Sequence, residues 1–343
     1  MSEFFLTKSG LAAILDRLSQ EFEVLAPVME KGLFRLERIR QAESVRFDFF
    51  NTVKPPKELL FPQTECLFCA SCEDVERGVI EPPVESSSPR ILFGVRPCDA
   101  RSLRLLDQVF LGQAIPDPYY AERRKRTLIV SIGCNRPRST CFCTSVGGSP
   151  FDETGSDLML IETNEGYLVK CASRRGEEFL APYQGFLGEP SETTQVNAQE
   201  VVRSAQDSVP VYVDAQAVTA KLSRTIAPEF WDGVYEKCVG CSICAYLCPT
   251  CHCFDITDEV VASNTARLRT WDACAFSYFT REASGFNPRP TQKERVKNRF
   301  MHKFAYFPEN FAQVGCVGCG RCVYECPVNL DIRQVLLDIA HLE

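Results

Sequence analysis

An α+β chain is predicted, with an N-terminal α/β domain over residues 1–185, a connector over 186–230 and a mainly α-helical domain over 231–343. Three observations predict it. A strand–helix–strand series runs from Ile91 to Ile132. Residues 186–230 turn polar, rich in Ser, Thr, Gln and Asn. Beyond Trp231 the chain carries two matching cysteine runs and closes on an amphipathic segment. With 343 residues at about 100–200 per domain, two or three domains are expected.

The first element reads as a helix, because Leu11, Ile14, Leu15 and Leu18 fall at i, i+3, i+4 and i+7 with Ser9 placed to cap it. Two short strands follow, Glu23–Pro27 and Leu33–Leu36, with Gly32 in the turn. Ile91–Val95 and Thr127–Ile132 are continuous apolar runs, the pattern of strands buried on both faces. Leu103, Leu106 and Phe110 line one side of a helix between them. That order suggests a parallel βαβ pair. Leu158–Glu162 and Gly166–Val169 form a hairpin around Asn164-Glu165. One helix is expected near 214–224, and a last one is capped by Asp331 with Ile332, Val335, Leu336 and Ile339 on its apolar face.

Composition narrows the class. The chain is 45% hydrophobic, enough for ordinary cores, and no stretch approaches the ~20 apolar residues of a membrane span. The N-terminal residues lack the basic flank and apolar run of a signal peptide, so a cytoplasmic chain is expected. Nineteen cysteines in a reducing compartment point to metal ligation rather than disulfides, and their odd number forbids complete internal pairing. So many oxidisable thiolates suit an anaerobic or low-oxygen cell.

Two segments follow C-x2-C-x2-C-x3-C-P: Cys238, Cys241, Cys244, Cys248 and Pro249, then Cys316, Cys319, Cys322, Cys326 and Pro327. This is the bacterial ferredoxin run for a [4Fe–4S] cluster. Three cysteines two residues apart wrap one cube, and Gly240, Ser242, Gly318 and Gly320 let the backbone approach the sulfurs. The fourth cysteine lies beyond that loop and, in two-cluster proteins, serves the other cluster. The crossed assignment gives Cys238, Cys241, Cys244 and Cys326 to one cluster, and Cys316, Cys319, Cys322 and Cys248 to the other. Structural zinc takes two pairs rather than two complete four-cysteine runs. Between Cys248 and Cys316 lie 67 residues, so the domain is expected to resemble the helical two-cluster ferredoxin-like domains of succinate dehydrogenase iron–sulfur subunits.

Eleven cysteines remain. Cys98 and Cys134 each follow a βαβ strand, and parallel strands present their carboxyl ends to one crevice. Cys141 and Cys143 come from a loop at the same edge, so the four suggest a third [4Fe–4S] site; buried free thiols are the plainer reading. Cys66, Cys69 and Cys72 are three-quarters of a further cluster loop, with Cys171 or a distant cysteine as fourth ligand; zinc or free thiols are the alternatives. Cys251, Cys253 and Cys274 could hold another metal or line a cluster pocket. His252 is expected at the surface or behind the ligands.

Gly94-Val-Arg-Pro-Cys98-Asp99, Leu105-Leu106-Asp107-Gln108-Val109-Phe110, Tyr119-Tyr120-x3-Arg124 and Cys141-Phe142-Cys143 make a characteristic series. Cys248-Pro249-Thr250-Cys251, Trp271-Asp272-x-Cys274, Asn287-x-Arg289-Pro290-Thr291 and Arg295-x3-Arg299 continue it. Together they resemble the beta subunit of soluble nickel–iron hydrogenases (sulfhydrogenases) and the 4Fe-4S dicluster subunit of anaerobic sulfite reductase. The resemblance implies a protein that wires a flavin-containing NAD(P)H-oxidising subunit to a separate catalytic subunit of hydrogenase or reductase type. The Cys66–Cys72 triplet stands outside that series.

Absences agree with a carrier that is not catalytic alone. No G-x-G-x-x-G follows a strand, there is no G-x4-G-K-[ST], and three histidines leave little for acid–base chemistry. Residues 267–303 hold nine Lys or Arg against three acids, which reads as a solvated face, compensation for anionic clusters, or a docking surface. A net charge of −7 argues against nucleic acid. The competing reading is an oxidoreductase subunit with its own flavin or substrate site near Cys98.

Overall fold

The computed structural model describes residues 2–71, 80–81, 88–224, 226–261 and 264–342. Twelve strands are described: β1 Glu3–Thr7, β2 Glu23–Glu30, β3 Leu33–Arg38, β4 Thr64–Ser71, β5 Ile80–Glu81, β6 Arg90–Val95, β7 Thr127–Ile132, β8 Leu158–Glu162, β9 Gly166–Cys171, β10 Leu187–Gly188, β11 Phe254–Val261 and β12 Asn264–Trp271. They form an eight-stranded sheet, in the order β10-β1-β9-β8-β7-β6-β2-β3, and a four-stranded sheet, β11-β12-β4-β5.

The large sheet is mixed. β2, β6, β7 and β8 are parallel neighbours, and antiparallel strands extend it on both sides. Both faces are covered, which is why β6 and β7 read as unbroken apolar runs. Ile91, Phe93, Leu128 and Val130 pack with Leu11, Ile14, Leu15 and Leu18 of helix Lys8–Glu21. Leu92 and Ile129 face the other way, onto Leu103, Leu106 and Phe110 of helix Pro97–Phe110. The expected face of the first helix is the buried one, but its cap is Thr7, whose hydroxyl accepts from the Gly10 N–H at 3.0 Å.

Two differences from expectation have identifiable causes. The stretch 186–230 is polar in composition, yet helix Glu192–Asp207 lays Ala198, Val201 and Val202 on Met159, Ile161 and Leu168. Its sparse, small apolar residues hide it from a composition reading. The helix expected near 214–224 is Ala215–Leu222, and it packs into the C-terminal core beside Trp231, Phe300 and Leu336. The segment between the cysteine runs was expected to be helical, but it opens with the β11–β12 hairpin. Its strands alternate apolar and polar residues, and β12 pairs with β4 from the N-terminal half.

The C-terminal region is otherwise helical. It comprises Pro228–Tyr235, Gln292–Met301 under a Thr291–Glu294 capping box, a π-helical turn at His302–Tyr306, and Ile332–Ala340 capped by Asp331. Ile332, Val335, Leu336 and Ile339 are the buried face of that last helix, as its periodicity predicts. Among the described residues no helix is long and apolar enough to cross a membrane.

Candidate metal centre

Both cysteine runs fold the same way, and for the same reason. Gly240 and Ser242 in the first, and Gly318 and Gly320 in the second, have positive φ, at 68°, 63°, 65° and 73°. These left-handed residues coil the backbone so that N–H groups point inward. The Gly240 N–H donates to the Cys238 sulfur and the Gly318 N–H to the Cys316 sulfur, each at 3.4 Å. Such N–H···S bonds stabilise sulfur ligands carrying negative charge. Glycine at 318 also meets a packing demand: a Cβ there would come within 2.5 Å of the Cys143 nitrogen.

The thiols gather around three neighbouring cavities. Cys238, Cys241, Cys244 and Cys326 line the first, so the last cysteine of the second run closes the first group. Cys316, Cys319, Cys322 and Cys248 line the second, the reciprocal exchange. Cys98, Cys134, Cys141 and Cys143 line the third, beyond the carboxyl ends of β6 and β7. All three offer four sulfur donors, the donor set that a cubane iron–sulfur cluster requires. Among the described residues no group of three or more His, Cys, Asp or Glu side chains closes on a single metal ion.

The cavities adjoin. Cys322, Arg299 and Ile332 line both the first and the second; Cys319 lines both the second and the third. The second run is docked on the loop of the third group, with the Phe142 N–H donating to the Gly318 carbonyl at 2.9 Å. A buried bidentate pair fixes this junction. The Arg321 guanidinium donates to both Asp99 carboxylate oxygens at 2.6 and 2.8 Å, and to the Thr52 carbonyl at 2.9 Å.

Electrostatics separate the groups. Burial pushes the Cys141 and Cys143 thiols up to about 12 and Cys316 to about 11, so they are protonated at neutral pH until a cation takes the proton's place. Cys248 is the exception. The Cys251 thiol donates to its sulfur, and against the cost of burial the Lys303 ammonium helps hold it well below the ordinary thiol range. Desolvation alone would lower Lys303, yet the sulfurs of Cys248, Cys251 and Cys316 keep it above the usual lysine value. Arg299, which donates to the Cys244 carbonyl at 2.9 Å, sits where the first two cavities meet.

The basic stretch is therefore largely inward or paired. Arg299 and Lys303 face cysteines, Arg267 and Lys293 pair with Asp258 and Asp232, and Arg269 binds Glu65 and Asp117. Arg295 donates to the carbonyls of Ala275, Arg289 and Pro290. Compensation for anionic sulfur, one of the expected readings, describes Lys303 and Arg299, while the other cations named pair with carboxylates or backbone carbonyls.

The other cysteines divide. Cys251 is buried beside Cys248. The Cys253 thiol hydrogen-bonds the Cys274 sulfur and, despite burial, lowers Cys274 to about 6; Cys274 also lines the first cavity. His252 is half-buried against Phe110 and His302. Cys66 and Cys69 lie on β4 rather than on a wrapping loop; Cys72 is outside the described residues. A bulge opposite Arg267 and Leu268 turns the first two to one side, sulfurs 3.3 Å apart. Cys171, weighed as their fourth ligand, is in the core of the other sheet. Spacing does not say which cations of a basic run turn inward, so Lys303 and Arg299 could not be singled out from their neighbours in the sequence.

Comparison with known proteins bears on the C-terminal region and on the chain as a whole. Residues 237–330 match the family model of the 4Fe-4S dicluster domain, which implies two [4Fe–4S] clusters. The chain is 31% identical to sulfhydrogenase 2 subunit beta of Pyrococcus furiosus over 325 residues, 94% of this chain and 94% of that protein. On that near full-length likeness, and with the dicluster domain in place, the chain belongs to the sulfhydrogenase beta-subunit family of iron–sulfur proteins.

Proposed function

We propose that this chain is the electron relay of a cytoplasmic multisubunit oxidoreductase. It carries single electrons between a flavin-containing NAD(P)H-oxidising subunit and a catalytic subunit of hydrogenase, sulfite reductase or disulfide reductase type. One cluster is held by Cys238, Cys241, Cys244 and Cys326, a second by Cys316, Cys319, Cys322 and Cys248, and a third by Cys98, Cys134, Cys141 and Cys143. The observation that carries the reading is the row of three four-thiol cavities, each sharing lining residues with the next. A chain of one-electron sites needs such adjacency. The row also reaches the surface, since Cys241 is exposed.

The residues supply what a relay needs and little else. Backbone N–H groups and the buried cations Lys303 and Arg299 hold anionic sulfur, and the Arg321–Asp99 pair keeps the second and third groups in register. Hydride must be split into single electrons by an organic cofactor, which one-electron centres cannot do. The anaerobically reconstituted chain should hold about twelve iron and twelve sulfide, or about eight if only the two motif clusters form. It should be bleached by dithionite and, free of flavin, stay oxidised with NADPH until the flavin subunit is added. Four iron or fewer after full reconstitution, or rapid reduction of the flavin-free chain by NADPH, would overturn the relay.

A further inference from the structure

Cys66 and Cys69 stand apart from the three thiol cavities, on β4 of the small sheet. Their sulfurs lie 3.3 Å apart. A regular strand would not allow this, because residues i and i+3 point to opposite faces. Cys66 pairs with Leu268, Phe68 with Arg267 and Cys69 with Ala266, which leaves Leu67 as the extra residue of a β-bulge. The two cysteines therefore sit opposite positions two apart on β12 and share a face. At 3.2–3.4 Å per residue, their Cα atoms are about 6.4–6.8 Å apart. A disulfide spans about 4.4–6.8 Å between Cα atoms, so side-chain rotation alone can bring the sulfurs to bonding distance.

The bulge is held from outside. The Tyr119 hydroxyl, on helix Pro118–Arg126, donates to the Leu67 carbonyl. Next to Cys66, Glu65 is buried and pairs with Arg123 and with Arg269 of β12, each at 2.6 Å. Between the cysteines, the Phe68 ring centre lies 5.2 Å from the Arg267 guanidinium. The fold thus brings the two thiols together before any reaction. They differ in access: Cys69 is exposed and Cys66 half-buried. Desolvation, then the hydrogen bond to Cys69, raises the Cys66 thiol above its ordinary value, so Cys66 keeps its proton while the exposed sulfur attacks. Among the described residues no third His, Cys, Asp or Glu joins them in a group that closes on a metal ion.

We propose that Cys66 and Cys69 form a reversible dithiol–disulfide site that exchanges with low-molecular-weight disulfides. The Cys69 thiolate attacks one sulfur of the incoming disulfide, whose S–S bond breaks; a mixed disulfide forms and one thiol leaves. The Cys66 sulfur then attacks the Cys69 sulfur and expels the second thiol. Two electrons pass from the cysteine pair to the small disulfide, and the pair's two protons end on the two released thiols. In a reducing compartment the resting form is the dithiol, since exposed disulfides are the labile ones. Nothing in this site depends on the relay.

The test is peptide mass spectrometry. Trypsin cuts after Lys57 and Arg77, so residues 58–77 leave as one peptide that carries Cys66, Cys69 and Cys72 and no proposed cluster ligand. The reconstituted chain is incubated anaerobically with glutathione or with glutathione disulfide, then alkylated and digested, and fragmentation locates each modification. With glutathione, all three thiols should be alkylated. With glutathione disulfide, more than half of the chains should carry a Cys66–Cys69 bond that dithiothreitol reverses. Cys72→Ser should leave that bond in place, and Cys66→Ser should trap glutathione on Cys69. Thiols that stay reduced, a bond lost in Cys72→Ser, or a Cys66→Ser chain free of glutathione at Cys69 overturns the site. So does a peptide shielded from alkylation with bound zinc or about four more iron per chain, which would make these thiols metal ligands.

Discussion

The Lys303 ammonium donates to the Cys248 sulfur at 3.2 Å, and the residue is 1% exposed. Its other partners, the Thr250 hydroxyl and the Gly315 carbonyl at 2.9 and 3.0 Å, are neutral. A buried cation needs an anionic partner. Here the anionic partner in contact is the Cys248 sulfur, which is held well below the ordinary thiol range. Cys248 belongs to the first run by sequence but lines the second cavity, so this lysine, on the π-helical turn, holds that sulfur beside the second group.

Replacing Lys303 with Met should therefore lower the reduction potential of the second-group cluster, because negative charge added on reduction loses its nearest cation. A charge-assisted hydrogen bond is worth about 1.5–3 kcal/mol. For a one-electron couple, at 59 mV per 1.4 kcal/mol, that is a shift of roughly 60–130 mV. Lys303→Arg should recover part of it. An EPR-monitored redox titration reads the shift, and an unmoved potential in Lys303→Met would remove the tuning role.

The crossed ligands make a second prediction. Cys248→Ala should damage the cluster signal of the run Cys316–Cys322, and Cys326→Ala that of the run Cys238–Cys244, since each lines the other run's cavity. If each substitution instead erases its own run's signal, the crossing is wrong.

Much of this was legible in the chain. The spacing of the two runs is local pattern, and the thiols expected together do line common cavities. The parallel pair around Ile91 and Thr127 was legible because burial on both faces leaves an unbroken apolar run. What stayed hidden depended on long-range pairing. β4 took Cys66 and Cys69 into a sheet with β12, two hundred residues on, and no cysteine spacing reports that. Helix Glu192–Asp207 has a buried stripe of Ala198 and Ala205, too small to stand out from polar neighbours. The partners of Arg321 and Lys303 were illegible for the same reason: direction into a core is a tertiary property.

Arg321 and Asp99 test how the two halves are joined. Both are nearly fully buried, at 4% and 2% exposure. Arg321→Met leaves a buried carboxylate without its cation and should cost about 3–5 kcal/mol in denaturant unfolding. The double variant Asp99→Leu/Arg321→Met should regain most of that, since an apolar pair often replaces a buried ion pair at little cost. A double variant no more stable than Arg321→Met alone would mean that the pair is not the main tie at this junction.

The last prediction concerns acid. His252 and His302 stack at 5.3 Å between ring centres. Burial lowers both, His252 to about 4 and His302 to about 3, from an ordinary value of 6.5. Between pH 6.5 and about 4, the unfolded chain binds a proton at each imidazole that the folded chain refuses. Stability therefore rises with pH across that window, is fully present above 6.5, and is lost as pH falls toward the folded values. The slope is at most about 1.4 kcal/mol per pH unit for each histidine. Gln at both positions removes the titration, so the His252→Gln/His302→Gln chain should lose less stability than the wild type from pH 7 to pH 5. Cluster loss in acid is common to both chains and drops out of the comparison. Thermal unfolding midpoints at the two pH values measure it, and parallel losses would show that these histidines titrate alike in the folded and unfolded chain.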